Sequence, residues 1–310
     1  MTGTTPTTAA AIADYLRLDL IGEDLPVRRP CALDRLEPGC ITFASRATPE
    51  ALWKISGCPD AVVICPESLA YSFDGSRIVS DTPRVSFIKV VSHFFAEQTE
   101  RRIHPTAVVS PQARIGIDVA VGPHACIGPQ VTIGDRTVIG SGVAIEGQTV
   151  IGSDCFIKAN SVIGGPGFGF DLDDDGTPLH FPHLGGVHIG DSVWIGANTT
   201  IERAALDQTV VQDHVKIDDH VQIGHNTRVG RNTRICAGTI LCGRARIEPD
   251  SWVSPKVTVI QGKTVGPRSI VGISANVLTD VPPDTVYAGN PARHIRDIEP
   301  GQFTKLLTVG

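Results

Sequence analysis

The sequence predicts a mostly β protein, a parallel β-helix preceded by a small α/β domain and followed by a short C-terminal helical tail. Three observations predict it. An aliphatic residue returns every six positions along most of the chain, the first hundred residues lack that repeat, and the 310 residues include 32 glycines but only 5% aromatics. Short β elements joined by tight turns suit such a composition better than a helical bundle does.

In chain order the non-repeating part comes first. ATPEALWKI and VSFIKVVSHFF have helical spacing, and AVVICP reads as a buried strand flanked by turn residues. Residues 1–100 are expected to form the small α/β domain. The repeat then runs at intervals of six from Ile103 through Val109, Ile115 and Val121 to Ile157 and Ile163, resumes at Ile189, Ile195 and Ile201, slips by four residues, and continues from Val211 to Val277. A helix has a period near 3.6 and a simple strand a period of 2, so neither produces a strict six. A prism whose three flat sides each take six residues does. Each aliphatic residue then points into one narrow core, and the glycine that commonly follows it allows the tight corner. One coil takes 18 residues, so positions 18 apart stack at about the 4.8 Å strand spacing. The β-helix is expected over residues 101–282. Its one long break, GGPGFGFDLDDDGTPLHFPHLGG at 164–186, is too long for a corner and is expected to loop out as a binding flap. The tail, 283–310, leaves the repeat at two prolines.

Composition excludes several functions. The formal charge of −6 argues against nucleic acid as the main partner. No apolar run approaches the ~20 residues of a membrane span, and the N-terminal segment lacks the features of a signal peptide. Eight cysteines are scattered without a CxxC pair and read as reduced thiols, so a cytoplasmic location is expected.

The small α/β domain followed by IHPTAVVSP, GGPGFGF, IGANTTIERAALDQTVV and KIDDHVQIGHN resembles the UDP-3-O-acylglucosamine N-acyltransferase family of lipid A synthesis, over about residues 35–280 and most specifically over 189–230. The resemblance implies a left-handed helix, a homotrimer with sites between neighbouring β-helices, and transfer of a 3-hydroxyacyl chain from acyl carrier protein to the amine of a UDP-glucosamine derivative. The family's catalytic histidine falls on His225 and its oxyanion donor on Gly243.

Chemistry supports those two positions. An amine attacking a thioester carbonyl needs a base, and imidazole titrates near neutrality. The tetrahedral intermediate needs an N–H donor, and Gly243, eighteen residues beyond His225, stacks on the next coil with its amide open. Asp218 and Asp219, round the preceding corner, are candidates to orient the imidazole, the alternative being two solvated turn residues. Gly167, Phe168, Gly169 and Phe170 are expected to line the sugar or acyl site. A zinc site of the γ-class carbonic anhydrase type is the competing reading of His220 and His225, with His183 and His188 as further ligands. The register opposes it, because the position directly after Val229 is Gly230, so no catalytic metal is expected.

Between Lys216 and Arg268 nine basic residues face four acidic ones. Arg228 under Arg246, and Lys216 under Arg234, make a stripe able to receive an acidic carrier protein or the phosphates of coenzyme A. Gly262 and Lys263 are grouped with them as donor-binding positions. Three features depart from the family. Its second active-site histidine falls on Gly262; its uracil-reading Asn-Pro pair becomes Thr82-Pro83, with Phe87 left as a stacking surface; and AGNPARHIR resembles the ending of CoA-dependent sugar acetyltransferases. The expected function is N-acyl transfer from an acyl thioester, carrier protein or CoA, to a UDP-linked amino sugar, with no bound cofactor. A CoA-dependent N-acetyltransferase and a catalytically silent nucleotide-sugar-binding β-helix remain as alternatives.

Overall fold

The aliphatic repeat builds the core it predicts. In the computed structural model, which describes residues 7–96, 99–300 and 302–303, the chain divides into two compact units, Met1–Gln98 and Thr99–Gly310.

The second unit is a left-handed parallel β-helix with three faces. The first face begins at Ala120–Val121, the second at Val108–Val109 and the third at Arg114–Ile115, and the chain visits them in that cyclic order. The 18-residue rule holds in the pairings, with Ala120 beside Val138 and Gln222 beside Ile240. Ile139, Ile157, Ile195, Ile217, Ile223 and Val259 point inward with at most 1% of their surface exposed. The first coil is looser, since Ile103 makes only an isolated bridge to Val121 and is 46% exposed. Buried hydroxyls secure the corners. Thr137 donates to the Gly152 carbonyl at 2.9 Å and Ser161 to that of Gly196 at 2.7 Å, each reaching across to the next coil.

Glycine after the aliphatic residue serves a purpose other than the expected one. The left-handed backbone falls two residues later, on residues such as His124 (φ 59°), Asn160 (61°) and Asn232 (57°). What requires glycine is the approach of the neighbouring coil. A Cβ on Gly134 would sit 2.6 Å from the Gly152 carbonyl carbon, and one on Gly196 would run into the backbone of Asp218.

The two irregularities of the repeat leave the pairing intact. Val150 pairs with His188 across the flap, and His188 pairs with Val210 across the four-residue slip. The flap carries a small antiparallel hairpin, Phe170–Leu172 against Pro178–His180. The C-terminal tail departs from expectation: Thr285–Ala288 joins the first face and Arg293–Asp297 folds back on it as an antiparallel hairpin, where a helix was expected. The strand fits because residues 285–288 continue the ladder that Ile270–Val271 leaves open. Only Gln302–Phe303 are helical beyond it, and 301 and 304–310 lie outside the described residues.

The first unit is α/β as expected. Its five-stranded sheet runs in the order Leu20–Ile21, Ser76–Val79, Val62–Cys65, Cys40–Phe43, Arg29–Pro30, parallel except for the first pair. Val62–Cys65, from AVVICP, is wholly buried. Helix Pro49–Ser56 starts where Thr48 accepts from the Ala51 amide at 3.1 Å, with proline in the first turn. All eight cysteines are free thiols. No helix among the described residues is long and apolar enough to cross a membrane.

Because Ile217 is fully buried in a core one residue wide, Ile217→Ala is expected to cost ~2–5 kcal/mol and Ile217→Val ~0.5–1.5 kcal/mol. Denaturant midpoints at unchanged slope would check both.

Candidate functional site

The two breaks of the repeat fall on one edge, where the second face turns into the third. There the flap leaves after Val162–Gly165 and returns at Gly186–Ile189, the four extra residues follow Thr200–Glu202, and His225 turns the corner after Gln222–Ile223. Gly243 and Gly262 occupy the same edge on the next two coils, with the Gly262 amide donating to the Gly243 carbonyl at 3.1 Å.

His225 is held by neighbours that the sequence reading did not single out. Its amide donates to Glu202 Oε2 at 3.0 Å. Its Nδ1 lies 3.0 Å from Asn226 Oδ1, and the Ala205 amide donates to that same oxygen at 3.1 Å. An atom that accepts from a backbone N–H is the amide oxygen, so Nδ1 is a donor and in the neutral ring Nε2 carries the lone pair. Asn226 sits at φ 60°, a conformation asparagine tolerates well. Its place directly after His225 was a usable signal. Glu202 had a weaker one, standing where the repeat begins its four-residue slip.

Gly243 lies where the stacking rule puts it. A Cβ there would meet His225 Nε2 at 2.5 Å, so the missing side chain is the space the imidazole nitrogen faces. Its amide is also open. At two equivalent corners a side chain from the coil below caps this N–H: Asp218 Oδ2 caps Ala237 at 3.2 Å and Gln212 Oε1 caps Arg231 at 3.0 Å. Below Gly243 the corresponding residue is Gly224, which has no side chain to offer, and no described group accepts from the Gly243 N–H. A lone pair and an unengaged donor thus face one space, able to take a proton and to stabilise an oxyanion.

The flap covers this space. A Cβ on Gly167 would lie 2.8 Å from His225 Cβ and 3.0 Å from Glu202 Oε2. The flap also delivers a second imidazole, His183, which the sequence offered only as a metal ligand. Its ring meets that of His225 edge to face, centroids 5.0 Å apart. Burial first, and then the neighbouring His225, hold the His183 pKa below its usual 6.5. Phe168 and Phe170 do not turn inward. They pack on each other at 4.9 Å and are 83% and 51% exposed, so within this chain Gly167 and Gly169 face the site and the two phenylalanines do not.

Other expected positions are redistributed. Asp218 and Asp219 do not orient the imidazole, because six residues are one whole side of the prism and put them at the preceding edge. Asp219 binds Lys158 at 2.6 Å and accepts from the Ala197 amide, and these two contacts hold its carboxyl below the usual carboxylate range. Asp218 accepts from the Asp219 and Ala237 amides. His220 shares that preceding edge, at φ 59°, and His188 points outward from the third face, so neither joins His225. Among the described residues no three His, Cys, Asp or Glu side chains form a metal-binding group.

The expected basic stripe is two stripes. Arg228 and Arg246 pair on the third face, beside the site edge, with Arg228 bound to Asp207 at 3.0 Å. Lys216 and Arg234 pair on the first face, away from it, where the Arg234 guanidinium lies over Trp252. Lys263 stands on the site edge next to Gly262, whose φ of 71° opens onto free space. In the first unit Thr82 precedes helix Pro83–Val90, and Phe87 packs at 5.1 Å on Phe43, partly buried.

The bacterial transferase hexapeptide (six repeats) family model matches residues 130–165 and 208–243. The UDP-3-O-acylglucosamine N-acyltransferase of Delftia acidovorans is 42% identical over 209 residues, 65% of this chain and 62% of that protein. The enzyme of the same name from Methylorubrum extorquens is 40% identical over 130 residues, 42% of this chain and 37% of that one. The chain therefore spans less than two thirds of these relatives. Among solved structures, the UDP-N-acetylglucosamine acyltransferase of Francisella novicida superposes with a TM-score of 0.59 at 26% identity, covering 66% of this chain and 77% of that one. The resemblance read from the sequence is borne out.

A buried imidazole with a lowered pKa binds fewer protons when the flap is closed than when it is open. Closure is thus fully favoured above about pH 6.5 and weakens as the pH falls below it. Limited proteolysis at the hairpin turn, residues 173–177, is expected to speed up between pH 7.5 and 5, and no change would count against this linkage.

Proposed function

On a chain that carries the bacterial transferase hexapeptide repeat and is similar to UDP-3-O-acylglucosamine N-acyltransferases, we propose an N-acyltransferase that moves an acyl group from an acyl thioester to the amine of a UDP-linked amino sugar. The observation that carries this reading is His225 Nε2, left free by the Nδ1 contact to Asn226, beside the uncapped Gly243 amide beneath a glycine flap.

In this mechanism the sugar amine attacks the thioester carbonyl while His225 Nε2 removes its proton. Asn226 holds the Nδ1–H side as the ring becomes charged, so the base is not free to turn. The carbonyl oxygen becomes an oxyanion and accepts from the Gly243 N–H. Collapse forms the amide, and the leaving sulfur takes the proton back from His225 and departs as a thiol.

The donor is an acyl carrier protein or acyl-CoA. Arg228, Arg246 and Lys263, near the site edge, suit the phosphate both donors carry or the acidic surface of a carrier. Residues 1–100 would hold the nucleotide, with Thr82 and Phe87 toward the base. Assembly as a homotrimer, a cytoplasmic location, and catalysis without a bound cofactor belong to the same proposal. A specific observation favours the smaller CoA-linked acetyl donor as a second reading: the ending AGNPARHIR resembles that of CoA-dependent sugar acetyltransferases.

Mass spectrometry of reactions offering UDP-linked amino sugars with 3-hydroxyacyl carrier protein or with acetyl-CoA separates the donors. An adduct in either arm is expected to fall by roughly 10²–10⁴ with His225→Ala. Gly243→Ala, whose methyl would collide with Nε2, is expected to lose at least about 10²-fold. A wild-type protein that binds UDP-sugar yet gives no adduct in either arm would leave a binding β-helix instead.

A further inference from the structure

The mechanism above leaves His183 unused. Among the described residues it is the one buried histidine, 4% exposed, although it belongs to a flap whose other large side chains lie largely in solvent. Its Nδ1 is 2.9 Å from the Phe181 carbonyl, which can only accept, so Nδ1 carries the hydrogen and Nε2 is bare. Nε2 faces the flap backbone: a Cβ on Gly167 would lie 2.8 Å from it, and one on Gly169 would lie 2.9 Å from the ring's Cε1. Both inward glycines of GFGF thus accommodate this ring. A leucine would fill the same space without burying a polar atom, so packing alone does not explain an imidazole here.

What the ring touches does. Apart from its Asn226 bond, the His225 imidazole is half-exposed, and His183 meets it at 72° between planes. We propose that His183 is a positioning residue, a second imidazole supplied by the flap that holds the His225 ring where Nδ1 reaches Asn226 and Nε2 faces the Gly243 amide. The proposal rests on the reading of His225 as base. It ties flap closure to alignment of the base, since the segment that covers the site also fixes the ring. The titratable groups facing His183 are His225 and Glu202 from the β-helix and His180 from the flap. Burial and His225 both disfavour its charged form, so it stays neutral while His225 takes up the proton.

The test is ¹⁵N NMR of the imidazoles in the full chain at pH 7.5, for the wild type, His183→Ala and His183→Gln. The wild type is expected to show His225 in the Nδ1–H form alone. With His183→Ala, the Nε2–H form that a free imidazole prefers should appear and kcat should fall about tenfold, the scale of one aromatic contact. The glutamine variant, which restores bulk and a polar end, should recover part of both. A His225 that remains wholly Nδ1–H in the alanine variant overturns the proposal, whether or not turnover drops. If His225→Ala keeps its turnover, the base assignment fails instead, and the tautomer still reports whether His183 holds the ring.

Discussion

Coil-to-coil hydrogen bonding at fixed height is the constraint from which the rest of the β-helix follows. Each coil donates to and accepts from its neighbours on all three faces, so the backbone of one coil lies against the backbone of the next with no room between. At corners such as Gly134 and Gly196 that closeness requires glycine after the core aliphatic, because a Cβ there would enter the adjoining coil, whereas Gln212 and Asp218 hold the same position elsewhere. It also makes the faces intolerant of insertion, because an extra residue in a strand would shift every later side chain to the wrong side. Extra chain is accommodated only at edges. Here the flap and the four-residue slip use the same edge, and His225, Gly243 and Gly262 stack along it.

A regular scaffold then needs only small irregularities to make a site. At several corners the open amide is capped by a side chain from a neighbouring coil. Replacing one such residue with glycine, at 224, leaves a donor pointing outward at 243. Placing Asn226 where the backbone must be left-handed lets one amide oxygen take both the Ala205 N–H and the imidazole Nδ1–H, which settles the tautomer. Glu202, one coil earlier, anchors the His225 backbone. None of these residues is unusual in itself; the stacking makes them neighbours.

The charges obey the same geometry. Basic residues six apart point outward from different faces, so a local excess of positive charge along the sequence becomes two separate stripes. Arg228 and Arg246 flank the site edge, whereas Lys216 and Arg234 lie on the first face among Phe156, Trp194 and Trp252. Asp218 and Asp219 illustrate the rule again, since a separation of six or seven residues carries them a full side from His225.

By itself the sequence determined whatever depends on period. The six-residue register specified the parallel β-helix, its core residues, the 18-residue stacking of Gly243 on His225 and the outward flap, because a backbone that repeats strictly converts sequence distance into spatial distance. In the first unit it also specified helices and a strand whose periods and caps are local. Tertiary structure alone decided what breaks the period. Glu202 and His183 reach His225 across the slip and through a loop that no register governs, and the two phenylalanines of GFGF turn outward because their glycines are pressed against His183. The tail became a hairpin rather than a helix because the first face ended in an open ladder, and an unpaired edge outweighs the weak preferences of a short segment.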